Sequence, residues 1–176
     1  MDTELTEKKF LVSLRRAGMD YLARREHTRH ELIQKISRKF PETAVELISA
    51  IVDRLADDNL QSDERFTESY VRYRKSRGFG FTHIKQNLLQ RKVPCQFIDH
   101  YLSLSDPDWS ALLEIQIEKK IGHLPMLVRD SKEHYKLLRF LNSRGFPPEL
   151  VRQTVERRLI SSGNCLFSSY SCPPGT

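Results

Sequence analysis

The middle of the chain reads SDERFTESYVRYRKSRGFGFTHIKQNLLQRKVP over residues 62–94. Phe66, Tyr70 and Tyr73 recur at the spacing of a helix, which predicts one buried helical face. The glycines of Gly78–Gly80 end this helix, because glycine carries the highest entropic cost inside regular structure. A second helical pattern follows, so the stretch predicts a helix–break–helix unit.

This second helix has Ile84 and Leu88 at core spacing, and Thr82 is predicted to be its N-cap. Between Val71 and Lys92 there are seven Lys or Arg residues and no Asp or Glu. The unit therefore predicts an exposed basic surface that binds an anionic partner. It contains no candidate catalytic residue.

Eight cations make up the predicted binding surface. The first rank, opposite or beside the apolar faces and expected to be exposed, is Arg72, Lys75, Lys85 and Lys92. The second rank is Arg65, Arg74, Arg77 and Arg91. Within it, Arg74 and Arg77 lie nearer the buried face and are the better candidates for a structural role. A solvated face without a partner is the alternative interpretation.

The tetrapeptide Arg91–Pro94 has counterparts at Arg38–Pro41 and Arg144–Pro147, with a spacing of 53 residues both times. Each copy is predicted to end an amphipathic helix and to place its proline at the first position of the next one. A β-branched residue follows four positions after each proline: Val45, Ile98 and Val151. A period near 50 indicates tandem copies of one supersecondary unit.

The repeat and the absence of strand signals predict an all-α fold, an elongated tandem array of three three-helix repeats. The predicted divisions are a frayed N-terminus (1–9), a first module (10–60), a basic middle module (61–105), a third module (106–160) and a disordered tail (161–176). Thr28–Glu31 predicts a reciprocal capping box, and Asp130–Glu133 predicts a helix cap in the third module.

The net charge of +6 is concentrated in the middle module. Residues 1–60 carry 11 basic and 11 acidic side chains, residues 61–105 carry 8 and 4, and residues 106–176 carry 10 and 8. An excess of this kind favours nucleic acid or an acidic protein groove as the partner.

The three cysteines contain no CxxC spacing, and His27 and His30 straddle a predicted helix cap. These features argue against a zinc site and a disulfide framework. A charged N-terminus and the lack of a long apolar run predict a cytoplasmic chain without a membrane span. We therefore expect no enzyme activity, no metal and no cofactor.

Two other classes of protein remain open from the residues alone, a helix-turn-helix DNA-binding regulator and a helical interaction scaffold. In a helix-turn-helix domain the helix after the tight turn supplies Arg, Asn or Gln to base edges. Here only the last of the three such helices offers Arg and Gln. The basic residues are thus better placed for phosphates or acidic side chains than for reading bases.

The middle of the chain resembles the core motif of the RecX family, bacterial regulators of the RecA recombinase. The residues that carry the resemblance are Asn59, Leu60, Asp63, Phe66, Tyr70, Val71, Arg74, Gly78, Gly80, Ile84 and Leu88. It extends back through Ala17–Arg25 and Glu31–Lys35, and loosely on through Trp109–Leu159. Val93 departs from the pattern, which usually has glycine before an aliphatic residue, so a change in turn geometry is expected there.

The resemblance implies a non-enzymatic inhibitor that acts in homologous recombination and the SOS response. Family members lie in the groove of the RecA filament on single-stranded DNA and suppress its ATPase, strand exchange and coprotease activities. The implied partners are therefore the RecA filament and single-stranded DNA, and we expect a monomer. The residues leave open whether the basic face meets DNA phosphates or RecA carboxylates.

Overall fold

The computed structural model describes the backbone of residues 2–122 and 126–164, and the side chains of residues 7–122 and 126–159. Within this described backbone there are nine helices and no strand, so the all-α prediction is confirmed. The helices are α1 (Asp2–Leu22), α2 (Arg29–Lys39), α3 (Val45–Asp57), α4 (Asp63–Ser76), α5 (Phe81–Gln90), α6 (Cys95–Tyr101), α7 (Asp108–Ile121), α8 (Lys132–Arg144) and α9 (Pro148–Asn164).

The chain divides into two compact units. Unit 1 contains Met1–Tyr73 and Lys85–Leu102, and unit 2 contains Arg74–Ile84 and Ser103–Thr176. The division passes through α4 and α5. The helices of the middle module therefore contribute residues to both units.

The core of unit 1 forms where α1, α2 and α3 pack on one another. Its fully buried side chains are Leu14, Leu32, Ile36, Ile48, Val52 and Leu55. Gly18 lets α1 approach α3, because a Cβ atom at this position would lie 2.6 Å from the Leu55 side chain. α1 already begins at Asp2, inside the segment predicted to fray, since Glu, Leu and Lys in this segment are strong helix formers.

Thr28 caps α2 as predicted. Its hydroxyl oxygen accepts the backbone N–H of Glu31 at 3.0 Å and so satisfies one of the free amides of the first turn. The Glu31 carboxylate, expected to reach back to Thr28, pairs instead with Arg25 at 3.2 Å and with Arg91 at 2.9 Å. A charged partner makes the stronger hydrogen bond to a carboxylate, which explains the difference.

The prolines of the repeated tetrapeptides do not occupy the first helical position, so that prediction is wrong. Pro94 is the N-cap of α6 with an extended ψ of 135°. Pro147 precedes α9 because Pro148 follows it, and a residue before proline is disfavoured in the helical region. α3 begins four residues after Pro41, at Val45, which leaves the Val45 side chain 54% exposed rather than buried.

The second and third tetrapeptides share one turn. Lys92 and Gly145 occupy the same position in their copies, and both have a left-handed backbone, with φ of 58° and 79°. The unusual turn geometry expected at Val93 therefore falls on Lys92, while Val93 itself is buried. The β-branched residues after these two turns, Ile98 and Val151, are both buried.

Two details of the helix–break–helix unit differ from the predictions. The buried side of α4 is centred between Phe66 and Val71, so Tyr73 falls outside it and is 57% exposed. Thr82 is not an N-cap, because α5 begins one residue before it. The Thr82 backbone N–H donates to the Gly145 carbonyl at 3.0 Å, so another part of unit 2 satisfies this end of the helix.

The core of unit 2 forms where α7, α8 and α9 pack together. Its buried side chains include Trp109, Leu113, Ile117, Leu137, Leu141, Val151 and Val155. Ser131 caps α8 by accepting a backbone N–H at 3.1 Å, within the segment predicted to do so. α9 continues to Asn164, four residues into the predicted tail, and residues 165–176 lie outside the described part of the chain.

Candidate binding residues of the middle module

Arg72 is displayed on α4 as predicted. Its side chain is 74% exposed, and its guanidinium lies 3.3 Å from the carboxylate of Glu68 one turn earlier. An exposed pair of this kind contributes only about 0.3–0.5 kcal/mol, so a partner can displace it at little cost. The neighbouring exposed ring of Tyr73 adds an aromatic surface beside the charge.

Lys75 departs most from the predicted surface. Its side chain is only 17% exposed, and its ammonium group pairs with Asp106 and lies 3.5 Å from Asp108. The same ammonium lies 4.7 Å from the centre of the Trp109 ring. The hydrogen bond from Lys75 holds the pKa of the Asp106 carboxyl below its usual value, against the opposing effect of burial. The prediction that Lys75 is exposed is wrong, because the fold places two acids and an indole around it.

Lys85 and Lys92 are both accessible in unit 1. The Lys85 side chain is 42% exposed, and its ammonium lies 4.0 Å from Asp99. Lys92 is exposed in the left-handed turn before α6. Both positions agree with the expected exposure.

Arg65 and Arg91 connect segments within unit 1. Arg65 donates to the Glu26 carboxylate at 2.9 Å and to two backbone carbonyls of the turn before α4. Arg91 lies 2.9 Å from the Glu31 carboxylate, and its guanidinium is 5.1 Å from the centre of the Tyr70 ring. These contacts give both arginines a structural role.

Arg74 and Arg77 were predicted to lie nearer the buried face. Arg74 is half-buried in agreement with this, whereas Arg77 is exposed. The backbone carbonyl of Arg77 accepts a hydrogen bond from the Arg144 guanidinium at 3.2 Å. Arg77 therefore displays its charge and belongs with the accessible cations.

A cation–aromatic cluster in unit 2 was missed from the sequence. Its members, called here the Phe79 cluster, are Arg74, Phe79, His83 and Arg144. The two guanidinium carbons lie 4.8 Å and 4.7 Å from the centre of the Phe79 ring, and the His83 ring stacks on Phe79 at 4.3 Å. The sequence contained one signal for it. Arg144 begins the third copy of the repeated tetrapeptide, the position that the candidate Arg91 occupies in the second copy.

Burial lowers the pKa of His83 below its usual value, and the charges of Arg74 and Arg144 lower it further. Both charges that act on this imidazole are positive. The Phe79 cluster consequently places two guanidinium groups beside one imidazole.

Among the described residues, no group of three or more His, Cys, Asp or Glu side chains is arranged to hold a metal ion. The buried His27 ring lies 2.9 Å from the Arg25 carbonyl through Nδ1, and His30 lies 3.0 Å from Gln34. Burial is the main cause that lowers the pKa of His27, followed by the charge of Arg25. None of the helices in the described part of the chain is long and apolar enough to cross a membrane.

Three three-helix domains in succession define an all-helical tandem-repeat protein. Comparison with protein families matches residues 15–55 to the first three-helix domain of RecX, residues 62–102 to the second and residues 107–155 to the third. The chain therefore belongs to the RecX family of regulatory proteins.

Individual relatives agree with this assignment. The regulatory protein RecX of Pseudomonas fluorescens (strain SBW25) is 40% identical over 149 residues, which cover 84% of this chain and 93% of that protein. The regulatory protein RecX of Pseudomonas entomophila (strain L48) is also 40% identical, over 84% of this chain and 92% of its own length.

Solved structures show the same fold at lower identity. The crystal structure of RecX from Lactobacillus salivarius is similar with a TM-score of 0.67 and 23% identity, over 86% of this chain and 97% of that one. A second crystal structure, of a regulatory protein RecX, has a TM-score of 0.72 and 20% identity, over 88% and 77%.

Proposed function

We propose that this chain regulates the RecA recombinase by binding the RecA–single-stranded DNA filament and inhibiting its ATPase, strand exchange and coprotease activities. The observation that carries the proposal is the match of all three consecutive domains to RecX. On this proposal the chain catalyses no reaction itself and acts as a monomer in the cytoplasm.

The proposed contacts of the middle module are its accessible cations. They are Arg72, Arg77, Lys85 and Lys92. Arg65, Lys75 and Arg91 are assigned to the fold, because their side chains are at most 38% exposed and each makes a close ion pair within its own unit. The ion pairs of Arg72 and Lys85 are longer, and these two side chains are more exposed. This division narrows the eight candidate cations to those that can meet a partner without breaking a structural ion pair.

A chain with three tandem domains is suited to binding and inhibiting a filament built from repeated subunits. Once one domain is bound, the others meet neighbouring sites at a high effective concentration, so modest contacts combine into stable binding. Positive charge on the regulator also accelerates its encounter with a filament that contains nucleic acid.

The test is ATP turnover by RecA on single-stranded DNA, measured as this chain is added at fixed ionic strength. We expect dose-dependent inhibition that is complete near stoichiometric binding. The same chain without RecA provides the control for turnover of its own, and heat-unfolded chain provides the control for nonspecific charge. Unchanged RecA turnover at stoichiometric excess of the folded chain would overturn the proposal.

A further inference from the structure

The Phe79 cluster brings two guanidinium groups and an imidazole around a single phenyl ring. Arg74 comes from α4, His83 from α5 and Arg144 from the last position of α8, and all of them belong to unit 2. The His83 ring is nearly parallel to the Phe79 ring, with 18° between their planes. Three separate helices therefore supply one compact basic site.

Positive charges held this close repel one another. Each guanidinium gains on the order of 0.5–2 kcal/mol from the electron-rich face of an aromatic ring, which offsets part of the repulsion. The Arg144 guanidinium also lies 5.2 Å from the centre of the Phe140 ring, and Lys120 lies at the same distance from that ring. An anion that binds between the two guanidinium groups is attracted by both, so the charge arrangement favours anion binding.

The backbone fixes the cluster before any ligand arrives. The Phe79 N–H donates to the Arg74 carbonyl at 3.1 Å, and the Gly80 N–H donates to the Arg144 carbonyl at 2.8 Å. The Arg144 guanidinium donates to the Arg77 carbonyl at 3.2 Å, which limits its rotation. A site organised in this way loses little conformational entropy when it binds.

We propose that Arg74, His83 and Arg144 bind a phosphate group of single-stranded nucleic acid. Planar guanidinium forks match phosphate oxygens in pairs, and cations interleaved with aromatic rings are typical of proteins that bind single strands. The proposal rests on the proposed function only for the identity of the strand, which is the single-stranded DNA that RecA coats. It adds the Phe79 cluster to the contacts proposed for the middle module.

Cations on the exposed side of α8 favour a single strand of nucleic acid, rather than a protein with carboxylates, as the ligand. Lys132, Lys136 and Arg139 are exposed, at positions i, i+4 and i+7, opposite the buried Leu137 and Leu141. They mark a stripe about 10 Å long on the helix that ends at Arg144. Several exposed cations on the same helix as Arg144 suit a ligand with regularly repeated negative charge.

His83 gives the site a pH dependence. Burial, followed by the charges of Arg74 and Arg144 that face it, lowers the pKa of His83, and its ring stacks on Phe79. A bound phosphate favours the imidazolium, so binding takes up a proton and becomes tighter as the pH falls toward the ordinary histidine pKa of about 6.5. Replacing the imidazole with a group that does not titrate removes this part of the pH dependence.

The experiment measures the affinity of the full chain for a fluorescein-labelled oligo(dT) by anisotropy, without RecA. Arg144→Gln and Arg74→Gln should each weaken binding about tenfold and reduce the salt slope by about 0.7. Arg144→Gln keeps the backbone carbonyl that accepts the Gly80 N–H. Arg152→Gln is the matched control. Arg152 is an exposed arginine of unit 2, and this substitution removes the same single positive charge. His83→Gln should flatten the affinity between pH 5.5 and 7.5.

Each outcome decides the proposal separately from the proposed function. The phosphate site is overturned if folded Arg144→Gln and Arg74→Gln both bind the oligonucleotide as tightly as Arg152→Gln does. It is also overturned if the wild-type chain does not bind the oligonucleotide. If the variants lose RecA inhibition but keep oligonucleotide affinity, the cluster meets a protein carboxylate, and the phosphate site is likewise overturned. If they lose oligonucleotide affinity while wild type leaves RecA turnover unchanged, the phosphate site stands and the proposed function fails. Circular dichroism melts establish that each variant is folded.

Discussion

Gly80 and Gly145 approach each other so closely that a Cβ atom on Gly80 would lie 2.5 Å from the Gly145 carbonyl oxygen. Crowding is equally severe from the other side, because a Cβ atom on Gly145 would lie 2.4 Å from the backbone nitrogen of His83. Gly145 also has a φ of 79°, which favours glycine. This contact seats the end of α8 against the start of α5 and thereby positions Arg144 beside Phe79.

Substitution of Gly80 with alanine should therefore destabilise the chain. The added methyl group meets backbone atoms that cannot rotate away, so we expect a loss of about 1–3 kcal/mol in the free energy of unfolding. Urea denaturation followed by circular dichroism measures it. The exposed Ser110→Ala in α7 should stay within about 0.5 kcal/mol of wild type. Equal stability of Gly80→Ala and Ser110→Ala would contradict the close approach.

Leu88 and Leu89 are neighbours on α5 with opposite environments. Leu88 is fully buried and Leu89 is 44% exposed, so the same truncation tests burial with the helix propensity unchanged. Leu88→Ala should cost about 2–5 kcal/mol of unfolding free energy, and Leu89→Ala less than about 1 kcal/mol. Thermal melts of the two variants compare them directly. A similar loss at both positions would show that the face of α5 is assigned wrongly.

Reversal of charge at Arg72 tests the proposed filament contact. Arg72→Glu places a second carboxylate beside that of Glu68 on an exposed face, so the fold should survive. The half-inhibitory concentration for RecA turnover should rise about tenfold. Arg152→Glu is the control, because Arg152 is 71% exposed and pairs locally with Glu149 in the same manner. Equal inhibition by both variants would remove Arg72 from the contacts.

Lys75 belongs with Arg72 to the first rank of predicted contacts, but reversing its charge would test the fold. Lys75→Glu would place a third carboxylate beside Asp106 and Asp108, and loss of binding would then report unfolding. A single reversal at Arg72 avoids this confusion.

Lys75→Met keeps the aliphatic stem near Trp109 and removes the charge, so it isolates the ion pair with Asp106. We expect a loss of about 1–3 kcal/mol at pH 7. Because the pKa of Asp106 is lowered in the folded chain, this stabilisation is present above the ordinary Asp value of about 3.9 and is lost as the pH falls through the folded value. Urea unfolding from pH 7 to pH 3 should show the two proteins converging in acid. The exposed Lys136→Met should follow wild type throughout.

The helical content, the repeat and the family could be predicted from the residues alone. Thr28 and Ser131 could be recognised as caps because a cap bonds an amide three residues away. Ile84 and Leu88 could be placed in the core because helical periodicity is a property of one segment. Each of these inferences depends on interactions within about one or two helical turns.

Which cations are exposed depends on contacts that form only when the chain folds. Arg72 and Lys75 stand three residues apart in the same basic run, yet the acid that pairs with Lys75 lies 31 positions further along the chain. Arg144 reaches the carbonyl of Arg77 across 67 positions. A charge is neutralised or concentrated by whatever the fold brings within a few ångströms, because electrostatic attraction depends on distance in space rather than along the chain.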